Sequence, residues 1–115
     1  MKNSNRFCKN KNLLSLISSC KKNLRNSIIK NCSKEEIYSI IECILNVYNG
    51  NVKIPQDLIN KLRPYKKTFE KLLDRNSSLD KKRQLIIQKG GFLQILIPAI
   101  TSAIASVISE IAFKK

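Results

Sequence analysis

Histidine is absent from this 115-residue chain, and its four cysteines, Cys8, Cys20, Cys32 and Cys43, form no close pair. Zinc sites usually draw their ligands from pairs such as C-x-x-C, often together with histidines. The chain also lacks a paired acid motif, a glycine-rich phosphate loop and a nucleophile with a nearby base. We therefore expect no metal site, no cofactor and no enzymatic activity.

Acidic residues are scarce, with eight Asp and Glu against 22 Lys and Arg, and the net charge is +14. An excess of this size favours an acidic partner, either nucleic acid or an anionic membrane surface. The charge is unevenly placed: residues 1–48 carry +6, residues 49–91 carry +7 and residues 92–115 only +1. The partner surface is therefore expected upstream of the C-terminal segment.

Residues 1–12 contain no apolar run of the kind found in secretory signals. They are rich in Asn and Lys, and we predict a flexible basic arm. Without secretion we expect a reducing compartment, where Cys20 and Cys43 are small core residues and disulfide pairing is the minority alternative.

Apolar residues recur at helical steps, and no segment alternates polar and apolar residues as a half-buried strand does. The pattern predicts an all-α fold, a small bundle of four to five short helices followed by an apolar C-terminal helix. We place the first helix at about residues 12–30, with Lys21, Lys22 and Arg25 facing solvent. Its apolar side consists of Leu13, Leu16, Ile17, Cys20, Leu24 and Ile28.

Capping and breaking residues predict the later boundaries. Ser33 and Glu36 have the spacing of a capping box that begins the second helix, and Asn49-Gly50-Asn51 is a stop signal. Pro55 and Pro64 bracket a short third helix. A fourth helix carries Tyr65, Phe69, Leu72 and Leu73, and Ser78 caps a fifth that runs to Lys89.

Basic residues are densest between residues 61 and 89, where ten Lys and Arg accompany three acids. If most of them reach phosphates, binding is sequence-tolerant and falls steeply with salt. The alternative is an ordinary solvated helix surface. Tyr65 and Phe69 could stack on bases, but their spacing favours core packing. The candidate nucleic-acid-binding residues are Lys61, Arg63, Lys66, Lys67, Lys71, Arg75, Lys81, Lys82, Arg83 and Lys89.

The C-terminal segment has 18 residues without a charge, Phe92–Ser109, a length at the edge of a membrane-spanning candidate. Because proline suits a first helical turn, Pro98 is predicted to begin the regular helix, which would then be too short to cross a bilayer. If residues 92–97 are also helical, a single membrane span is possible; an interfacial or oligomeric membrane helix and a helix packed in the bundle core are the other open alternatives. The candidate membrane or packing residues are Phe92, Leu93, Ile97, Ile100, Ile104, Val107, Ile108 and Ile111.

A glycine pair joins the basic and apolar parts, in the run Gln88-Lys89-Gly90-Gly91-Phe92-Leu93-Gln94-Ile95-Leu96-Ile97-Pro98. This run resembles the C-terminal part of the adenovirus core protein X (mu) precursor family, over about residues 81–109. The resemblance implies a maturation-protease site at Gln88, Gly90, Gly91 and Phe92, with the cut between Gly91 and Phe92. Over about residues 13–108 the chain more loosely resembles small basic virion proteins of adintoviruses and Maverick/Polinton elements.

These resemblances imply a minor virion core protein precursor that binds viral DNA without sequence preference and meets a viral protease. The tail would contact a membrane or a capsid protein, and homo-oligomers are a further option. The location would be the virion, the host nucleus or cytoplasm, or a membrane. The predicted organisation is an arm (1–12), a helical basic domain (13–89), a Gly-Gly hinge (90–91) and an apolar tail (92–115). The alternatives are a membrane-active peptide precursor without DNA binding and a helical interaction module whose tail packs in its core.

Overall fold

In the computed structural model of the protein, the backbone is described for residues 9–113 and the side chains for residues 9–103. Most of the predicted arm, and the side chains of Ile104, Val107, Ile108 and Ile111, lie outside this part. The described backbone is helical with no strand, which confirms the predicted all-α bundle with a long apolar last helix. The helices are α1 (Lys11–Ser19), α2 (Lys22–Lys30), α3 (Lys34–Tyr48), α4 (Gln56–Leu62), α5 (Lys66–Leu73), α6 (Leu79–Lys89) and α7 (Leu93–Phe113), with 3₁₀ turns at Arg63–Tyr65 and Gly90–Phe92.

Local capping chemistry sets the start of two helices as predicted. At α3 the Glu36 backbone N–H donates to Ser33 Oγ (3.2 Å), and the Ser33 N–H donates to Glu36 Oε1 (2.8 Å). At α6 the Lys81 N–H donates to Ser78 Oγ (3.2 Å). Each bond satisfies an amide that has no partner within its helix, so these starts depend only on residues within one turn.

The end of α3 is also the predicted one. Gly50 adopts a left-handed conformation (φ 71°), and its N–H donates to the Val47 carbonyl at 3.1 Å. The Asn51 N–H donates to the Asn46 carbonyl at 2.9 Å. This pair of bonds is a Schellman motif, which needs a residue that tolerates positive φ at the position of Gly50.

The predicted single helix over residues 12–30 is wrong, because the chain breaks between α1 and α2. Cys20 is extended (φ −85°, ψ 166°), and the hydroxyls of Ser18 and Ser19 each donate to the Ser15 carbonyl at 2.9 Å. Such side-chain bonds compete with the helical backbone bonds at the end of α1. The break lets α1 and α2 present different faces to the core.

The predicted faces of these helices are correspondingly wrong in part. Leu16 and Leu24, expected inside, are 46% and 52% exposed, whereas Arg25, expected in solvent, is 4% exposed. Leu14 and Ile29 occupy the core instead, while Ile17 is buried as predicted. The apolar spacing across residues 13–28 assumed one uninterrupted helix, and that register ends at Cys20.

The predicted helix start at Pro98 is wrong as well, because α7 begins at Leu93 and contains Pro98. A proline in this position removes the hydrogen bond to the carbonyl of residue 94. Pro98 and Gln94 are both exposed, so water can solvate that carbonyl. Leu93 and Ile97 before the proline and Ile100 after it are buried, and their packing stabilises the helix on both sides of the proline.

The first half of α7 is the centre of the bundle. It packs against α1, α3 and α4, while α6 packs against α2 and α5. Its inward side chains are at most 1% exposed, namely Leu93, Leu96, Ile97 and Ile100, and they follow the fully buried Phe92. The apolar C-terminal segment therefore supplies much of the core that the short, charged helices lack.

Candidate nucleic-acid interface

Most of the candidate DNA-binding residues lie on the surface of α4, α5, α6 and their connections. Eight of the ten are exposed: Lys61, Arg63, Lys66, Lys67, Lys71, Arg75, Lys81 and Lys89. We call these eight residues the basic surface. The other two, Lys82 and Arg83, are covered to a larger extent and have different surroundings.

Arg83 is engaged within the protein. Its Nη1 donates to the carbonyls of Ile29 (2.8 Å) and Cys32 (2.6 Å), with a longer contact to Lys30 (3.5 Å). These carbonyls lie at and just beyond the end of α2, where the helix leaves acceptors unpaired and where its dipole favours a cation. Arg83 therefore ties α6 to the C-terminus of α2, and it is a structural residue as well as a source of charge.

Three lysines line one cleft between α5 and α6. Its volume is about 230 Å³, and we call it the lysine cleft. Lys71 comes from the last turn of α5, whereas Lys81 and Lys82 come from the beginning of α6. Ser77, Gln84, Leu85 and Gln88 complete the lining, and no carboxylate belongs to it.

Lys82 is the most covered cation of the lysine cleft, at 8% exposure. A buried ammonium ordinarily needs a hydrogen-bonding or charged partner, because leaving water costs free energy. Within the described part of the chain the Lys82 ammonium has no hydrogen bond or ion pair, and its Nζ is not a fully enclosed atom. The aliphatic stem is therefore packed while the charge keeps access to solvent, as long basic side chains commonly do.

A second depression, between α3, α4 and α5, is apolar and holds about 180 Å³. Exposed Arg63 and Lys66 of the basic surface belong to its lining, together with Tyr48 and Phe69. Burial raises the pKa of the Tyr48 phenol, and the charge of Glu70 adds to the rise. This part of the basic surface thus combines cations with apolar residues, whereas the residues that line the lysine cleft are polar or charged except for Leu85.

Tyr65 and Phe69 belong to an aromatic cluster inside the bundle, as the core-packing alternative predicted. The Phe69 and Phe92 rings meet edge to face at 5.0 Å between centroids, and Tyr65 lies 5.9 Å from Phe92. Tyr48 contacts Phe69 at 6.3 Å from the other side. Since Phe69 is 5% exposed, it is not available to stack on a base.

The glycine pair lies in this packed region. Gly90 is buried, Gly91 is half-buried, and both belong to the 3₁₀ turn Gly90–Phe92. A Cβ at residue 90 would lie 3.2 Å from Arg25 Nε, and one at residue 91 only 2.9 Å from the Tyr65 hydroxyl. The glycines therefore allow a close approach of neighbouring side chains, with no positive φ required.

This geometry bears on the cleavage site implied by the resemblance. Proteases bind substrates as extended segments, but Gly90–Phe92 is a helical turn and Phe92 is 0% exposed. Cutting between Gly91 and Phe92 therefore requires that this turn open locally. Gln88 is exposed and also lines the lysine cleft.

The apolar tail has two properties that bear on its role. Over the described residues, the helical stretch Leu79–Ala103 contains an 18-residue run with a mean hydropathy of 1.3, and by length and composition it could cross a membrane. Of the residues in that 18-residue run, 44% are buried within the protein. Four of the candidate membrane or packing residues are buried, as the packing alternative predicted: Phe92, Leu93, Ile97 and Ile100.

The cysteines within the described residues are free thiols. Cys43 is 1% exposed, as expected for a small core residue, while Cys20 is half-buried. Burial raises the pKa of the Cys43 thiol to about 12, and Glu42 contributes further. Burial, with help from Glu36 and against the opposing effect of Arg83, raises the pKa of Cys32 to about 11. Both thiols are thus neutral and unreactive at neutral pH.

Comparison with known proteins finds no match: no family model, no curated protein and no solved structure is similar to the chain. Within the described residues, no group of three or more His, Cys, Asp and Glu side chains is placed to hold a metal ion. The functional argument therefore depends on the basic surface, the lysine cleft and the packed C-terminal helix.

Two features of this site escape sequence reasoning. The convergence of Lys71 with Lys81 and Lys82 depends on how α5 packs on α6, and no spacing rule links residues on different helices. The burial of Arg25 beside Gly90 likewise depends on the packing of α2 against α6. The one local signal was the serine pair at Ser18 and Ser19, which marks the helix break before Arg25.

Proposed function

We propose that the chain is a minor virion core protein that binds double-stranded DNA without sequence preference. The observation that carries the proposal is the basic surface, eight exposed cations on three successive helices and their connections. Lysines and arginines that neutralise phosphates release condensed counterions, and this supplies affinity without any readout of bases. The viral setting is supported by the resemblance around the glycine pair, and with it come a viral protease and a capsid or membrane partner as further parts of the proposal.

The described geometry favours backbone contact over base recognition. The aromatic rings of Phe69 and Phe92 are in the core, so stacking on unpaired bases has no platform there. The basic side chains are long and mobile, which suits phosphates at varied positions better than fixed base edges. We therefore expect similar affinity for duplexes of unrelated sequence.

A second candidate function, a helical interaction module with the tail in its core, is favoured by the burial of Leu93, Leu96 and Ile97. In that case the same fold would present its surface to a protein. A membrane-active tail is favoured only by length and apolar composition, and it would require α7 to leave α1, α3 and α4.

Fluorescence anisotropy of the full chain with two labelled duplexes of unrelated sequence tests the proposal. We expect both duplexes to bind with similar affinity and to be released by added salt. Parallel dye-leakage measurements on vesicles of phosphatidylcholine with phosphatidylglycerol test the membrane alternative. Leakage without DNA binding would overturn the proposed function.

A further inference from the structure

We propose that the lysine cleft is a phosphate-binding site, which holds a phosphodiester group of the DNA backbone; this inference rests on the proposed function. It distinguishes a fixed contact from the diffuse attraction of the rest of the basic surface. The lining residues Lys71, Lys81 and Lys82 provide the positive charge.

Two elements bring these charges together. Lys71 projects from the C-terminal turn of α5, and Lys81 and Lys82 belong to the first turns of α6. Because α5 and α6 are packed against each other, the cleft is a consequence of the bundle and persists without ligand. Gln84 and Gln88 lie on the same side of α6, at the three- and four-residue steps that follow Lys81, and their amides can donate to phosphate or sugar oxygens.

The cations of the cleft are not neutralised by carboxylates. Asp74 and Asp80 are close in sequence, yet neither lines the cleft. Asp74 instead accepts a hydrogen bond at Oδ1 from the Asn76 N–H (2.9 Å) within the connection. An anion entering the cleft therefore meets three ammonium groups and no competing acid.

Lys82 makes the cleft different from a surface cluster of lysines. More than nine-tenths of this residue is covered, yet its ammonium has no hydrogen bond or ion pair within the described chain. Its ammonium can lower its desolvation cost only through water or an incoming anion. A phosphate oxygen offers a charge-assisted hydrogen bond, which is among the stronger contacts a lysine makes.

The surroundings favour a nucleic acid over a lipid as the source of the phosphate. Leu85 is the one apolar side chain of the lining, so the cleft offers little that would insert among acyl chains. The neighbouring basic surface continues along α5 with Lys66 and Lys67 and can meet further phosphates of the same duplex.

The test compares a cleft variant, Lys71→Gln/Lys81→Gln/Lys82→Met, with a control of equal charge, Lys11→Gln/Lys22→Gln/Lys53→Gln. The control lysines are exposed and do not line the cleft. Each phosphate contact contributes about 0.9 to the salt slope, so from about 50 to 200 mM salt each weakens binding by about 3.5-fold. Because the cleft holds one phosphate, the native chain should lose about 3.5-fold more affinity over that range than the cleft variant, whereas the control should change its slope much less.

Circular dichroism must show that the variants remain helical. Should Lys82→Met unfold the bundle, the Lys71→Gln/Lys81→Gln pair, both exposed in the native chain, is expected to change the slope in the same direction and by more than the control. Equal losses in the cleft and control variants would overturn the cleft while leaving the proposed function intact. Absence of DNA binding by the native chain would instead overturn the proposed function.

Inorganic phosphate tests the cleft independently of DNA. We expect amide resonances of residues 77–88 in the native chain to shift with added phosphate, and those shifts to vanish in the cleft variant. No shift in that segment, or equal shifts in both proteins, would overturn the phosphate site. Cleft-dependent binding to phosphatidylglycerol vesicles, with none to DNA, would overturn the assignment to a nucleic acid.

Discussion

Phe92 gives the sharpest test of how the C-terminal helix is held. It is fully buried, it meets Phe69 edge to face at 5.0 Å, and Tyr65 lies 5.9 Å away. Replacing a buried phenylalanine by alanine typically costs about 3–5 kcal/mol, through lost transfer free energy and the cavity left behind. A small domain has a total stability of roughly 5–15 kcal/mol, so Phe92→Ala should remove a large share of it.

Urea denaturation followed by circular dichroism at 222 nm measures this loss. With a urea dependence of about 2 kcal/mol/M, a loss of about 4 kcal/mol lowers the midpoint by about 2 M. Gln94→Ala, an exposed change in the first turn of α7, is the matched control and should shift the midpoint little. If Phe92→Ala behaves like Gln94→Ala, the tail is not part of the core and the separate-tail organisation regains support.

Other substitutions test individual contacts. Gly91→Ala should cost about 1–3 kcal/mol by urea denaturation, because its Cβ would lie 2.9 Å from the Tyr65 hydroxyl. Tyr65→Phe in the same chain should recover much of that loss, and no recovery would refute the collision. Arg83→Met should cost about 1.5–3 kcal/mol by removing a charged donor from the Ile29 and Cys32 carbonyls, and Arg83→Lys should rescue poorly. Exposed Arg75→Met is its control, and an equal effect of the two would contradict the capping role. The Cys43 pKa of about 12 exceeds its ordinary value of 9.0, so burial of the neutral thiol stabilises the fold below pH 9 and loses that effect as pH rises towards 12. Between pH 8 and pH 10 the free energy of unfolding of the native protein should therefore fall by about 1 kcal/mol more than that of the Cys43→Val variant, and identical decreases would contradict the burial.

Local chemistry explains why much of the fold could be predicted. The bonds between Ser33 and Glu36, and the glycine at residue 50, act within a single turn, so their residue types are visible in the sequence. Helical spacing likewise predicts an all-α bundle because each helix needs one apolar face. These signals place α3 and α6 correctly.

Tertiary packing decided the features that sequence reasoning missed. Pro98 breaks an isolated helix, but here Leu93 and Ile97 are anchored in the core and the proline faces solvent. Arg25 is covered because Gly90 leaves space beside it, and that space exists only once α2 packs on α6. Among ten similar basic residues, only the packed structure separates Arg83, which binds backbone carbonyls, from the lysines of the cleft.

The salt dependence of DNA binding by the full chain tests the central proposal most directly. Anisotropy titrations at several salt concentrations give the slope of the logarithm of the association constant against the logarithm of salt concentration. The one phosphate in the lysine cleft alone corresponds to a slope of about −0.9, and eight contacts across the basic surface to about −7. We predict a slope between these values that is the same for unrelated duplexes. A slope near zero, or no measurable binding at low salt, would contradict the account.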